Sequence, residues 1–77
     1  MKPWTVQSGA VTVKGRGSVY GGAPCWRMTV HKAGRCVFVG ASIGRDSASP
    51  EEHAEAILLD ALARHAIGPG DIEEARA

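Results

Sequence analysis

CWRMTVHKAGRCVFVGASI, residues 25 to 43, decides the fold. Trp26, Met28 and Val30 alternate with polar neighbours, the period of a strand with one buried face. Ala33-Gly34 interrupts the run, and Gly34 supplies the positive φ that a tight turn needs. Alternation resumes from Arg35 to Ile43, so the stretch reads as a hairpin. A two-residue loop pairs His31 with Cys36, Val30 with Val37, Thr29 with Phe38 and Met28 with Val39. The core face is then Trp26, Met28, Val30, Val37, Val39, Ala41 and Ile43. The other face carries Arg27, Thr29, His31, Cys36 and Phe38.

Upstream, Trp4 to Lys14 reads as one further strand whose register slips near Ser8-Gly9-Ala10, since Trp4 and Val6 have the opposite parity to Val11 and Val13. GRGSVYGGAP, residues 15 to 24, reads as a glycine-rich connection carrying Arg16 and Tyr20. Downstream, Ser47 to Ala66 is a helix. Ser49-Pro50-Glu51-Glu52 combines an N-cap Ser, Pro at N1 and Glu at N3. Ala54, Ile57, Leu58, Ala61 and Leu62 form its apolar stripe, with His65 at the margin. Gly68 and Pro69 are its stop signal, and DIEEARA is read as a short terminal helical turn capped by Asp71. The expected class is α+β: a three-stranded antiparallel meander packed on one C-terminal helix, in the order β-β-β-α.

Seventy-seven residues make a single small domain, 1–77, with a thin core; a chain of this size buries only roughly 60% of its unfolded surface. The longest apolar runs, such as AILL, are far short of the ~20 residues a membrane span needs, so no membrane contact is expected. MKPWTV has no apolar h-region, and two cysteines, Cys25 and Cys36, make no disulfide framework. Both features point to free thiols and a cytoplasmic location.

The net charge of +1 hides a division. Residues 1–45 carry seven Lys and Arg and no acid; residues 46–77 carry all eight acids against Arg64 and Arg76. The chain is thus a basic sheet half and an acidic helical half, a pattern that points to a polyanionic partner or to two faces with two tasks. Because the helix covers one side of the sheet, opposite sides of the molecule should carry opposite charge.

The motifs with chemical overtones argue against an enzyme. GASIG, residues 40 to 44, fits G-x-S-x-G, with Asp60 and His65 following in order. That pattern needs a large α/β sheet, which this chain cannot build, so Ser42 is read as a strand residue. Tyr20 stands where a dinucleotide loop would place its third Gly. Cys25 lies six residues from His31, roughly 20 Å along a strand; only His31 and Cys36 can meet, and no metal or cofactor is expected. His53 and His65, twelve apart, lack a ligand spacing and are read as solvent-facing or edge residues. Phe38 among basic residues on an open sheet is how single-stranded nucleic acid is held, with bases stacked and phosphates paired.

Two resemblances extend the reading. GRDSASPEEHAEAILLDALA, residues 44 to 63, is similar in outline to the final helix of double-stranded-RNA-binding domains. Glu51 and Glu52 stand where that family places phosphate-binding lysines. Trp26-x-Met28-x-Val30, Gly34-Arg35-x-Val37, Gly40, Asp46, Pro50 and Ala54 resemble the outline of small phage-encoded anti-CRISPR proteins acting on type I surveillance complexes. That resemblance implies a non-enzymatic, phage-type inhibitor, working in the host cytoplasm, that binds a host protein complex and blocks nucleic-acid access or nuclease recruitment. Candidate contacts are Glu51, Glu52, Glu55 and Asp60 on the acidic helix, or Arg16, Arg27, Lys32 and Arg35 on the sheet. The alternative is a nucleic-acid-binding module using the four basic residues and Phe38. Self-association of the oppositely charged faces, as a homodimer, is a third reading.

Overall fold

Three two-residue turns fold the first part of the chain into one antiparallel sheet. A computed structural model describes residues 2–43 and 49–72. Its strands are β1 (Trp4–Ser8), β2 (Val11–Tyr20), β3 (Ala23–Lys32) and β4 (Arg35–Ile43), in the sheet order β1-β2-β3-β4. The α+β class is as expected, but the sheet has four strands where the sequence reading has three. The parity change at Ser8-Gly9-Ala10 is a hairpin turn, with Gly9 at φ 58°, and Ser8 pairs back on Val11. The glycine-rich stretch is no loop either. Gly15 to Tyr20 ends β2, Ala23 and Pro24 open β3, and Gly21 and Gly22, at φ 59° and 82°, turn between them.

The β3–β4 turn is Ala33-Gly34, and it departs from expectation in two ways. Ala33 shares the positive φ, at 54°. His31 does pair with Cys36, but a bulge follows, so that Val30 faces Phe38 and Thr29 faces Val39. One extra residue, Val37, reverses the parity of the rest of β4. Phe38 therefore points to the helix side and packs on the core, while Val39 is 53% exposed and the exposed Ala41 lies opposite Arg27. The core assignment of Val39 and Ala41 and the outer-face assignment of Phe38 are both overturned.

Helix α1 (Pro50–Ala63) opens on the capping box read from Ser49 and Glu52: the Glu52 amide donates to Ser49 Oγ at 3.2 Å and the Ser49 amide to Glu52 Oε1 at 2.8 Å. It buries His53, Ala54, Ile57, Leu58 and Ala61 against Val11, Val13, Trp26, Met28 and Val30. His53 is thus a core residue and not solvent-facing, whereas His65 is exposed. The helix stops before Gly68. His65 takes φ 62°, the Ala66 amide donates to the Ala61 carbonyl at 2.9 Å and the His65 amide to Leu62 at 3.0 Å. This is a Schellman closure with His where Gly is usual. The expected helix 47–66 is therefore shorter by 49, its N-cap, and by 64–66; residues 44–48 and the tail residues 73–77 lie outside the described residues.

Ala33 and His65 are L-residues in left-handed backbone, each costing roughly 1–2 kcal/mol against its right-handed alternative. Ala33→Asn combined with His65→Gly is expected to raise the unfolding free energy by about 1 kcal/mol in total, or roughly 4–8 °C in Tm. Thermal unfolding followed by circular dichroism measures it. A lower Tm would show that other contacts compensate for the strain.

Beyond the helix, a 3-10 turn (Pro69–Asp71) clasps the far end of the sheet. Lys32 Nζ lies 3.0 Å from Asp71 Oδ1, the Gly68 amide donates to Asp71 Oδ2 at 2.8 Å, and the Ala10 amide donates to the Asp71 carbonyl at 2.7 Å. The Gly68 amide first, and Lys32 second, hold the Asp71 carboxyl below its usual 3.8. A carboxyl depressed in the folded state adds stability above its unfolded value and gives it up as pH falls below that value. The stability gap between wild type and Asp71→Asn should therefore be present at neutral pH and close as pH falls through and below about 3.8. Urea midpoints measured across that range check it; a gap independent of pH would show that the charge contributes nothing.

Candidate functional site

The helix covers one face of the sheet and leaves the other open. Alternation places Thr12, Lys14, Arg16, Ser18 and Tyr20 of β2 on the open face, beside Arg27, Thr29 and His31 of β3; Cys25 shares their parity but is buried. Arg16 stands directly opposite Arg27, Lys14 opposite Thr29, and Thr12 opposite His31. Opposed residues on neighbouring strands have Cα atoms only ~4.5–5.5 Å apart, and like charges at that spacing repel. The described acids lie elsewhere: Glu51, Glu52, Glu55 and Asp60 on α1, and Asp71 beyond it. Among the described residues, then, the open face holds Lys14, Arg16 and Arg27 with no balancing carboxylate.

Thr5, Lys14, Arg16, Arg27, Thr29 and His31 line a shallow depression of about 410 Å³ on this face. Thr29 Oγ1 and His31 Nε2 are hydrogen-bonded at 2.8 Å, which orients the imidazole along the sheet. At the tip of the β2–β3 hairpin, Tyr20 is 67% exposed and Val19 70%. Tyr20 shares the parity of Lys14 and Arg16, so an exposed aromatic ring continues the row of cations.

The sequence-derived candidates divide. Arg16 and Arg27 come together as the centre of the open face. Lys32 does not join them: it pairs with the core residue Val11 and its ammonium is bound to Asp71. Arg35 faces Lys32 across the β3–β4 turn, away from the Arg16–Arg27 pair. Phe38 is in the core layer. Tyr20 takes the place intended for Phe38, and Lys14 joins Arg16 and Arg27. Their signal was present as the period-two row Lys14, Arg16, Ser18, Tyr20, obscured by the glycines between them. Glu51, Glu52, Glu55 and Asp60 are all exposed on α1, and Asp60 reaches Arg64 at 3.6 Å.

The remaining chemical motifs do not assemble. His31 and Cys36 are register partners, but no three described His, Cys, Asp or Glu side chains converge as a metal site would require. Cys25 is buried and Cys36 exposed, both as free thiols. Asp60 and His65 sit exposed on and just beyond α1, while Gly44 of the G-x-S-x-G pattern lies outside the described residues. Among the described residues no helix is long and apolar enough to cross a membrane. No protein family, curated protein or solved structure matches the chain.

Proposed function

We propose that this chain is a non-enzymatic binding module that lays its open sheet face on nucleic acid. The observation that carries the reading is the Arg16–Arg27 pair: two guanidinium groups on opposed strand positions, next to Lys14, on a face with no described acid. Such a pair costs stability in the free protein and is relieved when phosphates lie between the charges. Tyr20 at the hairpin tip offers a stacking surface for an unpaired base. Three cations and one exposed ring favour a single strand held through its phosphates and by base stacking.

The test is a fluorescence-anisotropy titration with single- and double-stranded DNA and RNA at two salt concentrations. Three phosphate contacts on a single strand give a slope of log K against log salt near −2, or roughly 16-fold weaker binding from 50 to 200 mM salt. No binding at low salt would remove this reading.

A second reading is favoured by α1. Its exposed side carries Glu51, Glu52, Glu55 and Asp60, and Arg64 is its neighbour beyond the last turn. An acidic helix of this kind suits a phage-type, anti-CRISPR-like inhibitor that occupies a basic nucleic-acid channel in a host complex by charge complementarity. On that reading Glu55→Lys abolishes inhibition and Arg27→Glu does not.

A further inference from the structure

We infer that the groove between α1 and β4 binds an extended, basic peptide segment of a partner protein as an added strand. The groove is about 650 Å³, within the range of ligand-binding clefts. Its sheet side is Gly40 and Ala41 of β4, the last strand in the sheet order, whose outer edge has no strand partner among the described residues. An unpaired edge presents backbone N–H and C=O groups that an incoming strand can satisfy. Its helix side is Ala56, Leu59 and Ala63, and Leu59 is left 59% exposed.

Three observations specify the occupant. Among the described residues the carboxylates lining the groove are Glu52 and Asp60, and no Lys or Arg lines it, so the complementary chain is cationic; Glu52 also accepts from the Ser49 amide, and Asp60 shares its charge with the exposed Arg64 at 3.6 Å. His53 also lines it, and its Nε2 is buried without a hydrogen-bond partner in a residue only 2% exposed. That nitrogen can donate or accept according to its tautomer, and a polar side chain that displaces the groove wall enough to reach it gains a hydrogen bond. The third observation is spacing. His53 packs on Trp26, and Asp71 beyond the helix reaches Lys32, so α1 runs along β3 and its neighbour β4. Glu52 and Asp60 are eight residues apart on the helix, about 12 Å at 1.5 Å per residue. Residues i and i+4 of a strand lie about 13 Å apart on one face. Cations at i and i+4 therefore meet the two carboxylates, while an apolar residue at i+2 meets Ala56 and Leu59. The groove opens at the β4 edge and the α1 side, bordering the open face only at Ala41, the strand partner of Arg27, and none of Lys14, Arg16 and Arg27 lines it; the two proposals are tested separately.

The probe is a blocked synthetic heptapeptide, Thr-Lys-Thr-Val-Thr-Lys-Thr, titrated into the full ¹⁵N-labelled chain. Amide shifts should cluster on β4 and α1. Replacing both Lys by Glu should weaken binding roughly 3- to 10-fold, the range of two exposed ion pairs, and Asp60→Lys should do the same with the original peptide. A peptide with Pro at alternate Thr positions, lacking those backbone donors, should not bind. Ala56→Trp fills the groove from an exposed helix position and should abolish binding with an unchanged thermal transition. His53→Phe, which keeps the ring and removes the orphaned nitrogen, should weaken binding and leave the Tm equal or higher. Absence of shifts at millimolar peptide overturns the proposal, as do equal affinity of the Glu peptide or shifts confined to the open face. Concentration-dependent shifts of β4 without peptide would assign the edge to a second copy of the chain instead, and overturn it equally.

Discussion

Gly15→Ala is expected to lower the unfolding free energy by about 2–4 kcal/mol, the opposite of the usual effect of this change in a strand. A Cβ built on Gly15 falls 2.3 Å from Trp4 Cζ2 and 2.4 Å from Cε2, far closer to the indole than van der Waals contact allows. Trp4 pairs with Gly15 across β1 and β2, and its ring lies over the glycine. It cannot withdraw cheaply. Trp4 stacks on His53 with centroids 6.1 Å apart and planes at 15°, and meets Trp26 edge-on at 5.9 Å; Trp26 closes the triangle with His53 at 6.1 Å. Displacing Trp4 therefore opens the contact through which the first turn of α1 is held on the sheet. Among the described residues Val11, Val13 and Val30 are the largest fully buried side chains, so few other contacts can compensate. Against a total stability of 5–15 kcal/mol for domains in general, and the low end of that range for a small one, the loss is a large fraction.

Urea unfolding measures the effect, and a double-mutant cycle assigns its cause. In a Trp4→Leu background the clash is gone, so Gly15→Ala should be neutral or stabilising, giving a coupling of about 2 kcal/mol or more. Equal destabilisation in both backgrounds would show that the backbone at Gly15, and not the indole, sets the requirement.

Arg27→Glu is expected to separate binding from stability. On the proposed interface it removes one phosphate contact and adds a repulsive charge. The salt slope on single-stranded nucleic acid should fall by roughly 0.7 for the lost contact, and affinity at low salt should drop by about tenfold or more. Folding should respond the other way. Arg27 faces Arg16, and the substitution turns a like-charged cross-strand pair into an opposite-charged one, worth about 0.2–1 kcal/mol in favour of the folded state. Tighter folding with weaker binding is what a functional charge cluster predicts. Unchanged anisotropy with raised stability would leave the pair as an unexplained local repulsion and sink the nucleic-acid reading. Tyr20→Ala isolates the stacking contribution: it should cost about 1–3 kcal/mol of single-strand affinity and leave the salt slope unaltered.

The chain's own residues determine a good deal without any knowledge of contacts. The capping box at Ser49–Glu52, the apolar spacing from Ala54 to Ala61 and the glycine at position 34 are signals read within one turn or one hairpin, and each forms as expected. Charge segregation is equally direct: four of the five described acids lie on α1, and five of the seven described Lys and Arg lie on the strands. The α+β class follows from these local features.

What tertiary structure decided is parity, register and the purpose of the glycines. Alternation tells which residues share a face only while pairing is regular, and one extra residue at Val37 moved Phe38 to the core and Val39 to solvent. Nothing local marks that bulge. Gly15 reads as loop because a glycine's own neighbours do not show that Trp4, eleven residues away, fills the space where its side chain would be. His53 reads as a polar helix residue until two indoles from β1 and β3 close around it. In each case the deciding partner is distant in sequence. Short-range propensity sets which elements form, and excluded volume between elements sets which way their side chains face.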